Sequence, residues 1–393
     1  MIPLMKTTFV NELETKKELA EFILRTDQLS MGETCMRFEK GFAEFQESHH
    51  AILFNSGGSS NLALLQALKN LGRLKEGDPV GFSALTWSTN VMPIIQMGLI
   101  PVPVDCDPET LNCMSYNLKQ RLESTPLKAF FTTNALGFAG DLNVIQSICD
   151  ENQILLLEDN CESLGTTLPQ GKTGTFGLAS TFSFYVAHHM STIEGGMVCT
   201  NDADLAEMLK IVRANGWGRN LDASQQQKWR DKFNIPSEFQ SKYTFYDLGY
   251  NLRPTEITGF LGLSQLKHLS NNIKKRIEHF LFLNCAVNEN PDLITLDASH
   301  LEQHSPFSFP VLCVDSKLKA LYMEQFYGAE VEIRPMIAGN IQNQPFYSKY
   351  VQDSYDLKGT DQIQDNGFYF GIYPELTAIE NEVLISCLQK NKF

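Results

Sequence analysis

Between residues 51 and 216 the chain alternates short apolar runs with segments of helical spacing. That alternation restricts it to an α/β domain with a largely parallel sheet. The runs AILF (51–54), DPVGFSALTW (78–87), LIPVPVDCD (99–107), KAFFTTNALG (128–137), ILLLEDNCES (154–163), TFSFYVA (181–187) and GGMVCTND (195–202) read as strands. Helical spacing follows the turn at 55–60 and recurs in NVMPIIQMG (90–98), LNVIQSICDENQ (142–153) and ADLAEMLKIVRANG (203–216). Two helices, 12–26 and 36–47, precede this block.

After the block, 217–245 is polar and Gln/Lys-rich and reads as a long surface excursion, of the kind that carries function or mobility. A long, kinked helix is expected over 254–287, then strand, helix and strand at 307–314, 318–326 and 331–336. The expected organisation is a large domain over 1–260, then a connecting helix and a small C-terminal α/β domain over 261–393.

Composition narrows the function. The net charge of −14 argues against nucleic acid, whose phosphates need a concentrated basic face. Nine scattered cysteines without a CxxC pair suit reduced thiols in a cytoplasmic protein. No apolar run reaches the ~18 residues of a membrane span, and the N-terminus shows no long apolar leader core.

Five stretches carry chemistry. FNSGGSSN (54–61) runs from a strand into small residues at a helix start, where free N–H groups and the dipole suit a phosphate. An ordinary tight turn is the alternative, since the spacing fits neither a P-loop nor a dinucleotide fingerprint. Asp159 ends a buried strand, where open α/β sheets put their ligands. It either partners a pyridine nitrogen or caps the next helix. Trp87, between a strand and a helix, either stacks on a heteroaromatic ring or is half-buried packing.

In FSFYVAHHMSTIEGG (182–196), adjacent histidines on a strand would point to opposite faces, so a shared metal is not expected. No HExxH accompanies them. One imidazole is a candidate general base and the other structural. In LGYNLRPTEITG (248–259), Asn251 and Arg253 precede a helix start at Pro254 and either hold a phosphate or carboxylate or sit in a surface loop.

These pieces occur in one order: NSGGSSN, TWSTN, EDNCESLG, GTFG, TFSFY, EGG, LGYNLRPTE and IRP. From about residue 28 to 335 the chain resembles the DegT-type sugar aminotransferases. These are aspartate-aminotransferase-like (fold type I) vitamin B6 enzymes acting on nucleotide-linked keto sugars. In that family a lysine after FSF binds the cofactor covalently. Here its position falls on His188, and no lysine lies between Lys172 and Lys210. FYxxHH before EGG is similar to the nucleotide-sugar 3-dehydratase branch. A related iron–sulfur type is not matched, because no cysteine lies between Cys199 and Cys285.

The resemblance implies a fold type I large domain with a small C-terminal domain. It implies pyridoxamine 5′-phosphate or pyridoxal 5′-phosphate, not covalently bound, a nucleotide-linked keto-deoxy sugar (GDP-linked), and L-glutamate to regenerate the amine. His188 would remove a proton from the cofactor and deliver one to the departing C3 hydroxyl, and ammonia would be released. Asp159 would hold the pyridine nitrogen, Trp87 would stack on the ring, and Glu162 would lie by its 3-oxygen. Gly57, Gly58, Ser59 and Ser183 would hold the phosphate. Asn251 would reach the phosphate in a neighbouring subunit, which implies a homodimer with shared sites. Arg253 and Arg334 would take the substrate diphosphate or the glutamate carboxylate.

Two positions depart from the pattern: Gly58 replaces a commoner Ser or Thr, and Ala187 a commoner Ser. A nucleotide-keto-sugar aminotransferase and a non-catalytic cofactor-binding relative are the competing readings.

Overall fold

The computed structural model describes residues 1–390. Its main sheet has seven strands: β1 (His50–Phe54), β2 (Pro79–Ser83), β3 (Ile100–Val104), β4 (Ala129–Thr133), β5 (Leu155–Asp159), β8 (Ala179–Ser183) and β9 (Gly196–Thr200). A two-residue hairpin, β6 (Thr167–Leu168) and β7 (Gly171–Lys172), intervenes. The order is β1-β9-β8-β5-β4-β2-β3, and β9 alone runs against the others.

The apolar runs are strands because helices cover both faces. All five residues of β4 are buried, and Phe130 faces a different core cluster from Phe131. The carboxyl ends of the six parallel strands share one edge, and β9 starts there. Gly196 is registered with Ser183 on one side and Phe54 on the other, while Asp159 is level with Thr133 and Thr181.

The C-terminal part carries an antiparallel sheet of β10 (Ser308–Leu312), β12 (Gly367–Gly371) and β11 (Ile333–Pro335), in that order. One hydrophobic cluster continues from Val102, Phe130 and Leu156 of the large sheet to Phe309, Phe368 and Phe370 of the small one. Among the described residues no helix is long and apolar enough to cross a membrane.

Several expected elements differ. The strand expected over 181–187 ends at Ser183, because Phe184 leaves the ladder to pair with Gly195 and Thr192. The single helix expected over 254–287 is two, Glu256–Leu266 and Leu269–Asn288. The excursion at 217–245 holds the helices Ala223–Lys232 and Glu238–Ser241, the first closed by an Asp222/Gln225 capping box. The helix Ser115–Ser124 and the central strand β12 were not expected.

Candidate active site

The edge where β1, β5 and β8 end collects most of the candidates. Two residues, Asn55 and Ser56, separate β1 from helix Gly57–Asn70. Ser56 caps it: its Oγ accepts from the Ser59 N–H at 3.1 Å and donates to the Ser59 hydroxyl at 2.9 Å. Helix geometry leaves the Gly57 and Gly58 N–H groups without an intrahelical partner, at the positive end of the dipole. The approach is close enough to require glycine. A Cβ on Gly57 would come within 2.7 Å of Ser183 Cβ, and one on Gly196 within 2.2 Å of the Ser56 carbonyl.

Asp159 is buried at the end of β5. Its Oδ2 accepts from Asn61 Nδ2 at 3.0 Å and Asn90 Nδ2 at 2.7 Å, and its Oδ1 from the Cys161 N–H at 2.9 Å. Asn61 comes from the phosphate-type helix, one turn after Gly57. Asn90 comes from helix Ser88–Gln96, which Trp87 precedes as N-cap residue. One carboxylate therefore ties the cradle to the tryptophan. Trp87 is 56% exposed, with its indole available for stacking.

Glu162 is partly buried and accepts from the Leu136 N–H at 3.0 Å. Burial, assisted by the Asp159 charge, pushes its carboxyl up to about 7.

The two histidines lie in a bend, not on a strand, so the opposite-faces argument does not apply to them. Ala187 before them has φ +77° and Ile193 after them φ +71°, both non-glycine residues in the left-handed region. The His188 ring stands edge-on to Phe307 at 5.1 Å. The Phe307 N–H donates to the Leu136 carbonyl at 3.3 Å, so His188, Phe307, Leu136 and Glu162 form one contact chain. Burial, with Arg276 nearby, pushes the His188 imidazole down to about 4. His189 is buried, with Nε2 3.2 Å from the Ser305 carbonyl, which fits a structural role.

The remaining candidates are peripheral. Asn251 is exposed and bridged to Ala214, and the next residue, Leu252, accepts from the Asn55 N–H at 3.1 Å beside the cradle. Arg253 lines a separate cleft of about 150 Å³ with Ser30, Trp217, Arg219 and Asn220. Arg334, on β11, bonds Glu332 at 2.5 Å and is registered opposite Tyr369. Burial first, then the Glu162 charge, pushes the Tyr369 hydroxyl up to about 12.

Sequence reasoning missed Asn61, Asn90 and Arg276. Asn61 sits inside the NSGGSSN stretch, at helical spacing from Gly57, and that spacing was the available signal. Among the described residues no three His, Cys, Asp or Glu side chains group as metal ligands.

The residues fit a phosphorylated pyridine. The helix start admits no Cβ at position 57, a fixed carboxylate lies a turn away, and an exposed indole flanks them. A mostly parallel sheet with such a site at its carboxyl edge defines the fold type I class of vitamin B6 proteins. The chain belongs to the DegT/DnrJ/EryC1/StrS aminotransferase family, whose model matches residues 11–389. It is 32% identical over 373 residues to the GDP-4-keto-6-deoxy-D-mannose 3-dehydratase of Escherichia coli O55:H7, covering 94% of each chain. It superposes with TM-score 0.89 on a GDP-4-keto-6-deoxymannose-3-dehydratase carrying a trapped PLP-glutamate geminal diamine. That match has 30% identity and covers 99% of this chain and 100% of the other. A mutant of that enzyme type with bound GDP-perosamine superposes equally, with TM-score 0.89, 29% identity and the same coverage.

Proposed function

We propose that the chain is a pyridoxamine-phosphate-dependent nucleotide-sugar 3-dehydratase. It removes the C3 hydroxyl of a GDP-linked 4-keto-6-deoxyhexose, uses L-glutamate to regenerate the amine and releases ammonia. The observation that carries this reading is His188 at the family's lysine position. The flanking Lys172 cannot substitute, since its ammonium is bound by the Phe45 carbonyl at 2.5 Å and Glu47 at 2.8 Å.

When bound, the cofactor supplies an amine for the C4 ketone and an electron sink that lets the C3 hydroxyl leave. Gly57 and Gly58 offer backbone N–H groups to its phosphate, and Ser59 and Ser183 offer hydroxyls. Asp159, fixed by Asn61 and Asn90, accepts the pyridine N–H, and Trp87 covers one ring face. Glu162, with its carboxyl near 7, can donate to the ring's 3-oxygen.

His188 is neutral at physiological pH, so it has a lone pair with which to take a proton. The same proton then goes to the departing hydroxyl. An imidazole forms no imine with the cofactor, so nothing displaces the product as a lysine would. Arg253 and Arg334 are assigned to the diphosphate or the glutamate carboxylate. Asn251, exposed, is assigned to the phosphate of a second subunit in a homodimer with shared sites. Nine free cysteines suit the cytoplasm.

The test uses protein loaded with pyridoxal phosphate. L-glutamate should convert the aldehyde form to the amine form by absorbance. A GDP-4-keto-6-deoxy sugar should then yield ammonia and a product lighter by one oxygen. An amino sugar as product would move the enzyme to the transaminases, and no spectral change would leave a non-catalytic relative.

A further inference from the structure

Beside His188 lies a narrow cleft of about 40 Å³, lined by His188, His189, Asn272, Arg276, Tyr373 and Glu375. N-terminal residues between Met5 and Val10 close its other side. They are pinned there by Thr7 Oγ1 donating to Glu375 at 3.1 Å and the Val10 N–H to Gln265 at 2.9 Å. Four lining residues each hold a buried polar atom without a protein partner: His188 Nδ1, His189 Nδ1, Arg276 Nε and the Tyr373 hydroxyl. His189, Arg276 and Tyr373 are at most 4% exposed. Buried polar atoms are nearly always satisfied by protein or ordered water, and four around one cleft indicate a shared occupant.

We propose that this cleft is a water site that fixes His188 in the Nδ1–H tautomer, with Tyr373 and His189 as positioning residues. The inference rests on His188 being the base, as read above. The volume admits roughly two or three waters. Two of the four hydrogen-bond roles are fixed by chemistry. Arg276 Nε is a donor only. His189 Nε2 faces the Ser305 carbonyl and so carries the proton, which makes its Nδ1 an acceptor. With the His188 lone pair at Nε2, as the base reading requires, Nδ1 carries the proton and donates to a water that also accepts from Arg276 Nε. That water gives one proton to His189 Nδ1 and the other to a second water, which accepts from the Tyr373 hydroxyl. That arrangement satisfies all four atoms and leaves the lone pair of His188 on Nε2, free to take a proton. The proton taken at Nε2 is the one returned to the departing hydroxyl, and Nδ1–H stays in place.

The guanidinium is held by carbonyls. Arg276 Nη1 donates to Phe307 at 2.8 Å and Ile372 at 2.5 Å, and Nη2 to His188 itself at 3.5 Å. Arg276 and Glu375 are the charged groups facing His188 from the packed segments, and His189 is the other titratable imidazole.

The test reads the tautomer directly. Nitrogen NMR of the histidines in cofactor-free protein should show His188 protonated at Nδ1. A high-resolution crystal structure should show water within hydrogen-bonding distance of His188 Nδ1 and Tyr373 Oη. Tyr373→Phe should reduce the Nδ1–H population. It should also slow the single-turnover glutamate reaction roughly five- to tenfold with KM unchanged, the equivalent of one hydrogen bond.

A dry cleft, or His188 protonated at Nε2 in the wild type, overturns the water site. His188→Asn separates the two readings. If it abolishes dehydration while the cleft is dry, only the water site fails. If it dehydrates normally, the base assignment fails and takes the water site with it.

Discussion

Asn90 Nδ2 donates to Asp159 Oδ2 across 2.7 Å, joining the helix that Trp87 precedes to the end of β5. Both residues are buried, and Asn61 shares the same oxygen at 3.0 Å. Asn90→Ala removes a hydrogen bond to a charged group, so stability should fall by about 1.5–3 kcal/mol in thermal or denaturant melts. The carboxylate also loses its fixed orientation. Pyridoxal phosphate affinity, followed by absorbance titration, should fall roughly tenfold. An unchanged affinity would leave Asn90 a purely structural residue.

Gly57 meets Ser183 where the helix start approaches β8. An added Cβ would come within 2.7 Å of Ser183 Cβ, an atom fixed to the end of β8. Gly57→Ala should therefore open the cradle and cost about 1–3 kcal/mol of stability. Its effect on cofactor affinity should exceed that of Gly58→Ala, whose Cβ would meet the Thr89 methyl at 3.0 Å. Gly57→Ala combined with Ser183→Gly should recover part of the affinity. No recovery in a titration would place the strain elsewhere.

The legible and illegible parts of the site separate along this line. NSGGSSN, Asp159, Trp87 and the lysine-to-histidine change are local patterns, and each sits at the sheet edge where strand–helix alternation puts it. The Asn61–Asp159–Asn90 junction is not local. It needs two helices to converge on β5, and no spacing in one segment reports that. The strand before His188 was read too long because FSFYV stays apolar past Ser183. What ends it is the pairing of Phe184 with Gly195 and Thr192 and the positive φ at Ala187, a conformation that alanine does not advertise. β12 was missed because GFYFG is short and finds its role only between two partners distant in sequence.

Burial of His188 sets a pH dependence. Its imidazole drops from 6.5 to about 4 in the folded state, so between those values the unfolded chain binds a proton that the folded one does not. Stability is therefore unaffected above about pH 6.5 and is lost as the pH falls toward 4. The His188 contribution is at most about 3 kcal/mol. Melts of the cofactor-free protein should show this loss, and His188→Asn should make the slope shallower. His189 is buried and His304 partly buried, and loss of hydration shifts both the same way, so part of the slope should persist.

Glu162 acts in the opposite sense. Its carboxyl rises from 4.5 to about 7, so across that window the folded protein keeps a proton that the unfolded chain releases. Its contribution falls as the pH rises from 4.5 to 7 and is fully lost above that. Glu162→Gln keeps an acceptor for the Leu136 N–H but cannot ionise. The variant should gain on the wild type over this range, reaching up to about 3 kcal/mol above pH 7. Parallel stability curves for the two proteins would mean that the carboxyl titrates normally.

Replacing His188 with lysine tests whether the imidazole or the surrounding site selects the reaction. A lysine here would be partly buried beside Arg276, and both effects favour a neutral, nucleophilic amine. His188→Lys should therefore bind pyridoxal phosphate covalently, seen as a yellow absorbance that survives dialysis and becomes fixed on borohydride reduction. The general acid–base contribution of the imidazole is about 10²- to 10⁴-fold, so dehydration should fall by at least about a hundredfold. The amine can release the sugar as an amino product, which mass spectrometry would detect. If His188→Lys binds the cofactor covalently yet still makes the 3-deoxy sugar at the wild-type rate, the imidazole does not direct the chemistry. The selection would then lie with the groups fixed around the ring, Asp159 and Glu162.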